Sequence, residues 1–163
     1  MKPFIIGLAA FLLAITCYSF THDYNLNRHS LVELRMVCEE ASAAGTLFYY
    51  KDHYSNGKIV FNQDESRKAI ETVIAAMLRL DGSLEPTQES YWQNQIKYET
   101  YFYDDHNTTY PFLFVDPDTG YTHLVKAPTV VVTINAGKAR YALQFLKNGS
   151  DNIRSAAHTW EGM

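Results

Sequence analysis

Hydrophobic and polar residues follow one another along this chain in three rhythms. The first is unbroken: from Phe4 to Phe20 the run FIIGLAAFLLAITCYSF holds no charged residue and follows a single lysine, Lys2. At 1.5 Å per residue such a helix covers roughly 25 Å, the short end of what crosses a hydrocarbon core about 30 Å thick. The residues expected to face lipid as a membrane anchor are Phe4, Ile5, Ile6, Leu8, Phe11, Leu12, Leu13 and Ile15. Thr16, Tyr18 and Ser19 soften the far end, where an amphipathic tyrosine suits the headgroup layer.

The second rhythm is helical. Thr21 to His29 is a polar neck that either interrupts the helix or thins its stability. Ser30 and Glu33 then read as a capping box opening a new helix. Leu31, Leu34, Cys38, Ala41, Gly45 and Phe48 recur at three- and four-residue steps, so the helix is expected to reach about Tyr50. Leu34, Cys38, Ala41, Gly45 and Phe48 are its packing residues, and the small middle of the stripe calls for a sheet face close to the backbone. A second helix is predicted with Asp64 as N-cap, Glu65 in its first turn and Ile70, Val73, Ile74 and Met77 buried. Arg79 falls in its last turn and Gly82 after its end.

From Tyr91 the period becomes two. Trp92, Asn94, Ile96, Tyr98, Thr100 and Phe102 share one side of a strand. Tyr110 to Val115 and Tyr121 to Lys126 flank Asp116-Pro117-Asp118-Thr119-Gly120, a hairpin loop with glycine where positive φ is needed. Thr129 to Asn135, TVVVTIN, is the most strand-like segment, and Gly137-Lys138 turns the chain into a further strand over Arg140 to Leu146. Asn148 to Met163 shows no clear pattern and is read as coil. The fold class predicted is α+β: an N-terminal membrane-anchor helix, then two helices packed on a four- to five-stranded antiparallel meander sheet. Residues 1–29 form anchor and neck, 30–147 an extracytoplasmic domain, and 148–163 a C-terminal tail.

Composition narrows the class without naming an activity. The chain has 163 residues, 47% hydrophobic and 20% charged, which suits one compact domain beyond the anchor. A net charge of −4 argues against nucleic acid as the partner. The five prolines are Pro3, Pro86, Pro111, Pro117 and Pro128, leaving the first half free to be helical. Cys17 lies in the apolar run and Cys38 on the helical stripe, so the two cysteines form no disulfide framework. The apolar run also has the parts of a secretory signal, but Cys17-Tyr18-Ser19-Phe20-Thr21-His22-Asp23 offers no pair of small residues framing a cleavage site. An uncleaved single-pass anchor in the cell membrane is expected, the alternative being secretion after cleavage.

Every candidate for chemistry has a simpler structural reading. Asp116 and Asp118 begin like a calcium loop, but Gly120 and Ala127 stand where that loop needs other residues, so a plain hairpin turn is expected. Asp104, Asp105 and His106 form an acidic tip that His123 would approach in a meander, as a turn or a weak metal site. Asp104, His106 and His123 are expected to be solvent-exposed. Cys38 is read as a core residue and Glu39-Glu40 as a solvated pair. No phosphate-binding, dinucleotide-binding or nucleophile-elbow motif is present, so no catalytic residue, metal or cofactor is predicted. In the aromatic stretch Tyr98 to Phe114, most rings are expected to pack within strands, and Tyr101 and Tyr103 to point outward as an interaction surface.

A short anchor, the helix VELRMVCEEASAAGTLFYY with small residues at Ala41, Ala43, Ala44 and Gly45, and an α+β domain together resemble the TadE/TadG-like pseudopilins of tight-adherence pilus machinery. The resemblance covers about the first third of the chain. It implies a bacterial, non-enzymatic pilus- or surface-assembly component whose partners are membrane lipid and other pilin-like or assembly-platform proteins. The same layout is similar to single-anchor inner-membrane components of type IV secretion, which leaves a ligand-binding or secretion-apparatus module as the alternative. An enzyme with a turn-borne Asp/His site is the third reading.

Overall fold

The computed structural model describes residues 2–142 and 149–162. One helix, α1 (Lys2–Thr46), runs without a break from the apolar run through the neck into the domain. Ser30 therefore lies inside a helix and the expected capping box with Glu33 does not form. The polar neck stays helical although Asp23, Asn25 and Asn27 are weak helix formers, because Asp23 and Asn27 share a face and both engage the domain. Hydroxyls inside the helix bond back to the preceding turn: Thr16 Oγ1 to the Leu12 carbonyl and Thr21 Oγ1 to the Cys17 carbonyl, both at 2.9 Å.

α1 ends at Thr46, earlier than the stripe predicts, and Phe48 falls beyond it, 39% exposed. The chain needs an extended stretch there: the Tyr50 N–H donates to the Val60 carbonyl and the Asn62 N–H to the Phe48 carbonyl. These bonds close a loop around the short α2 (Lys51–Tyr54). α3 (Gln63–Leu78) follows, capped by Asn62, whose Oδ1 accepts from the Glu65 N–H at 3.4 Å, in place of the expected Asp64. Ile70 and Ile74 are fully buried, with Val73 and Met77 packed beside them, as the spacing predicts. The left-handed residue ending α3 is Arg79 (φ 55), so Gly82 is not the C-terminal glycine of this helix.

The strands are β1 (Lys97–Tyr103), β2 (Phe112–Val115), β3 (Thr122–Val125), β4 (Thr129–Asn135) and β5 (Ile153–Thr159). The fold is α+β and every strand pair is antiparallel, but the order is not a simple meander. β4 lies centrally in a sheet β1-β4-β5, while β2 and β3 form a separate hairpin. β2 is too short to cover seven-residue β1, which pairs along its whole length with β4, from Lys97 opposite Asn135 to Tyr103 opposite Thr129. The segment expected to be a coil tail supplies β5, with Ala156 opposite Val132. Its sequence, IRSAAHT, alternates too weakly to announce a strand, and half-burial between sheet and helix makes it one. Of the strand expected over Arg140–Leu146, Arg140, Tyr141 and Ala142 lie in no strand, and the remainder lies outside the described residues.

Three layers result. Val130, Val132 and Ile134 of β4 face α1 and α3 and join Leu34, Val37, Cys38, Ala41, Ile70 and Ile74 in the main core. Burying each of its valine, leucine and isoleucine side chains contributes about 1.5–3 kcal/mol. The small stripe is explained at Gly45, where an added Cβ would lie 2.9 Å from Ile70 Cδ1 and 3.1 Å from Val130 Cγ1. On the other face Val131 packs with Phe114 and Val125 of the hairpin. Tyr101 and Tyr103, expected to point outward, pack there instead: Tyr101 lies 5.3 Å from Phe114 and Tyr103 4.8 Å from Phe112, ring centre to ring centre.

Candidate functional site

The feature that most limits function is the free half of α1. The helix is long and apolar enough to cross a membrane, and none of its most apolar window is buried against the protein. All eight residues expected to face lipid, Phe4, Ile5, Ile6, Leu8, Phe11, Leu12, Leu13 and Ile15, are exposed. The distal half packs as core: Leu34, Cys38 and Ala41 are fully buried and Gly45 is buried against α3 and β4. One continuous helix is thus apolar surface at one end and domain interior at the other.

Where the halves meet, the domain grips the helix. Asp23, only 8% exposed, accepts a hydrogen bond on Oδ2 from the Ala142 N–H at 2.7 Å. One turn on, Asn27 Oδ1 accepts from the Tyr91 hydroxyl at 3.4 Å, and that hydroxyl accepts from the Arg140 N–H at 3.3 Å. The loop after β4 is thereby fastened along the neck. Sequence reasoning missed this junction because Asp23 and Ala142 are far apart in the chain and neither belongs to a motif. The available signal was a lone acid among weak helix formers just past an apolar run.

The acidic turns are joints. Asp104 is buried, and its carboxylate accepts from the backbone N–H groups of Phe61 at 3.2 Å, His106 at 3.0 Å and Asn107 at 3.2 Å. Asp105 accepts from the Ile59 N–H at 2.7 Å. Together they tie the end of β1 to the extended segment before α3. The expectation that Asp104 is solvent-exposed is wrong, because its oxygens satisfy backbone amides that no strand partner reaches. His106 lines an open cleft with Tyr50 and Asp64. His123 sits on β3, opposite Phe114 and stacked on Tyr121, half-buried, and burial lowers its pKa. Among the described residues no three His, Cys, Asp or Glu side chains are grouped to hold a metal ion.

Asp116 is likewise more than a turn residue. Its buried carboxylate accepts from the hydroxyls of Thr133 at 2.6 Å and Ser155 at 3.3 Å, and from the N–H groups of Thr119 at 2.8 Å and Asp118 at 3.0 Å. Burial alone would raise its pKa, but the bonds from Thr133, Thr119 and Asp118 outweigh it and lower the value. Gly120 has the positive φ (66°) that the loop requires.

Beside this loop an open cleft of about 470 Å³ lies between Arg35 and Glu39 of α1, Tyr121, and β5 from Ile153 to Ala157. Arg35 Nε and Glu39 Oε1 pair across its rim at 3.0 Å. Cys38 lies beneath, its Sγ donating to the Arg154 carbonyl at 3.2 Å. Burial pushes its thiol pKa up to about 12, the reverse of what a nucleophile or metal ligand needs. Comparison with known proteins adds no neighbour: no family model, no curated protein and no solved structure matches this chain.

Proposed function

We propose that this protein is a membrane-anchored, non-enzymatic assembly component of the pseudopilin kind, with its α+β domain outside the cytoplasm of a bacterium. The observation that carries the reading is α1 itself, whose free apolar half and core-packed half are one uninterrupted helix. Such a helix gives the domain a rigid stem, and a row of stems can pack side by side in lipid while the domains stack above it. Its partners are then membrane lipid and further copies or pilin-like and platform proteins, with no role for nucleic acid.

The test uses the full-length chain in its native host. Membranes should retain the protein through carbonate washing, and protease added outside spheroplasts should digest the domain. Cysteines placed along the exposed face of residues 4–15 should cross-link copies through their stems. A charge at the centre of the run, Leu12→Arg, costs about 2.5–3.5 kcal/mol of insertion and should abolish retention. Protein recovered in the medium, with an N-terminus between Ser19 and Tyr24, would overturn the anchor reading.

A second reading is favoured by one observation, the cleft beside Arg35, Glu39 and Arg154. Its mixed charges and open mouth suit a small polar ligand, which would make the domain a binding module on the same stem. Loss of function on Arg35→Ala with assembly intact would select it.

A further inference from the structure

The loop that follows β4 returns to the place where α1 leaves its apolar run. The bond from the Ala142 N–H to Asp23 places the loop one turn of helix past Phe20, and the bond from the Arg140 N–H to Tyr91, itself bonded to Asn27, places it one turn higher. If α1 spans a bilayer, the run from Phe4 to Phe20 covers roughly 25 Å of a core about 30 Å thick. The boundary then falls at or just past Phe20. Exposed Tyr24 and Leu26 on the neck agree with that level.

Asp23, the acid nearest the boundary, is turned inward and its Oδ2 is occupied by the loop. Lys138 and Arg140 on the loop and Arg28 on the neck are exposed, the last lying over the Tyr24 ring. The other acids near the loop lie toward the domain: Glu33 and Glu89 share a cleft with Arg140, Glu33 being about 15 Å beyond Asp23 along the helix, and Asp151 accepts from Asn135 at the end of β4.

We propose that the loop 137–142 is a membrane-facing surface that rests on anionic phospholipid, with Lys138, Arg140 and Arg28 contacting headgroup phosphates. This rests on the anchor reading of α1. Basic groups within a Debye length of a negatively charged bilayer are drawn to it, and salt weakens the attraction. The contact fixes the domain upright on the membrane as well as tethered to it.

The experiment reconstitutes the full chain in lipid nanodiscs of phosphatidylcholine alone or mixed with phosphatidylglycerol. A fluorophore is attached through Ala142→Cys in a Cys17→Ser background, with Asn56→Cys at the far turn as control, and lipids carry a headgroup quencher. Quenching at position 142 should be several-fold stronger in the anionic discs, and should fall toward the zwitterionic level in high salt or with Lys138→Gln and Arg140→Gln. The label at position 56 should stay unquenched throughout. Equal quenching in both lipids, or quenching indifferent to the double variant, overturns this proposal and leaves the anchor standing. A chain that does not enter the discs overturns both.

Discussion

The Thr133 hydroxyl donates to Asp116 Oδ2 at 2.6 Å, joining the tip of the β2-β3 hairpin to the central strand of the main sheet. With Ser155 of β5 also bonded to that oxygen, one carboxylate holds the hairpin, β4 and β5 in register.

Replacing Asp116 by alanine should therefore cost roughly 1.5–3 kcal/mol, because buried hydroxyls and amides lose a charged acceptor. The same carboxylate makes stability pH-dependent. Its folded pKa lies below its unfolded one, so its contribution is complete above about pH 4 and is lost as pH falls through the lower folded value. Denaturant midpoints measured across that window should fall in the wild type and flatten in Asp116→Asn.

The acidic tip at Asp104 should behave as a joint. Asp104→Ala strands the amides of Phe61, His106 and Asn107 and should destabilise by about 1–3 kcal/mol. His106→Ala, at an exposed position, should stay within about 0.5 kcal/mol, and the half-buried His123→Ala should fall between the two. Thermal melts of the three single variants check this. Equal, small effects would return Asp104 to the solvent.

Gly45 is a packing glycine. A leucine there must displace Ile70 and Val130, so Gly45→Leu should cost about 1–3 kcal/mol even though leucine is the better helix former. An unchanged Tm would mean that α1 is rotated away from α3.

Cys38 should resist alkylation in the folded protein and react on unfolding. Its folded pKa of about 12 stands above the ordinary 9.0, so the stabilisation it reflects is full below pH 9 and declines as pH rises from there toward 12. Maleimide labelling with and without denaturant, followed by mass spectrometry, measures the first part. Rapid labelling of the native chain would contradict its burial.

Where a hydrophobic period was strong, the chain could be read directly. The apolar helix from Phe4 to Phe20, the Ile70/Ile74 face of α3, the loop from Asp116 to Gly120 and the strand TVVVTIN all have local causes, and each forms. What escaped has distant causes. The neck stays helical because Asp23 and Asn27 find partners on loops far along the chain. IRSAAHT becomes a strand because β4 and α1 offer it a slot, and Tyr101 and Tyr103 turn inward because a hairpin lies over them. Of the candidate site, the apolar half of α1 was legible from composition alone. The grip on the neck was not, since a backbone N–H such as that of Ala142 leaves no mark on sequence pattern.

The position of β5 also bears on how the domain is built in time. The Cys38–Arg154 bond spans 116 positions, so β5 covers a stretch of α1 made long before it. Until Ile153 to Thr159 arrive, that stretch and one edge of β4 stand bare. Contacts of such long range carry a large loop-closure cost and form slowly. On the anchor reading, a stem already seated in a bilayer would hold the waiting helix apart from its neighbours during that interval, and would shelter the unfinished chain as well as tether the finished one.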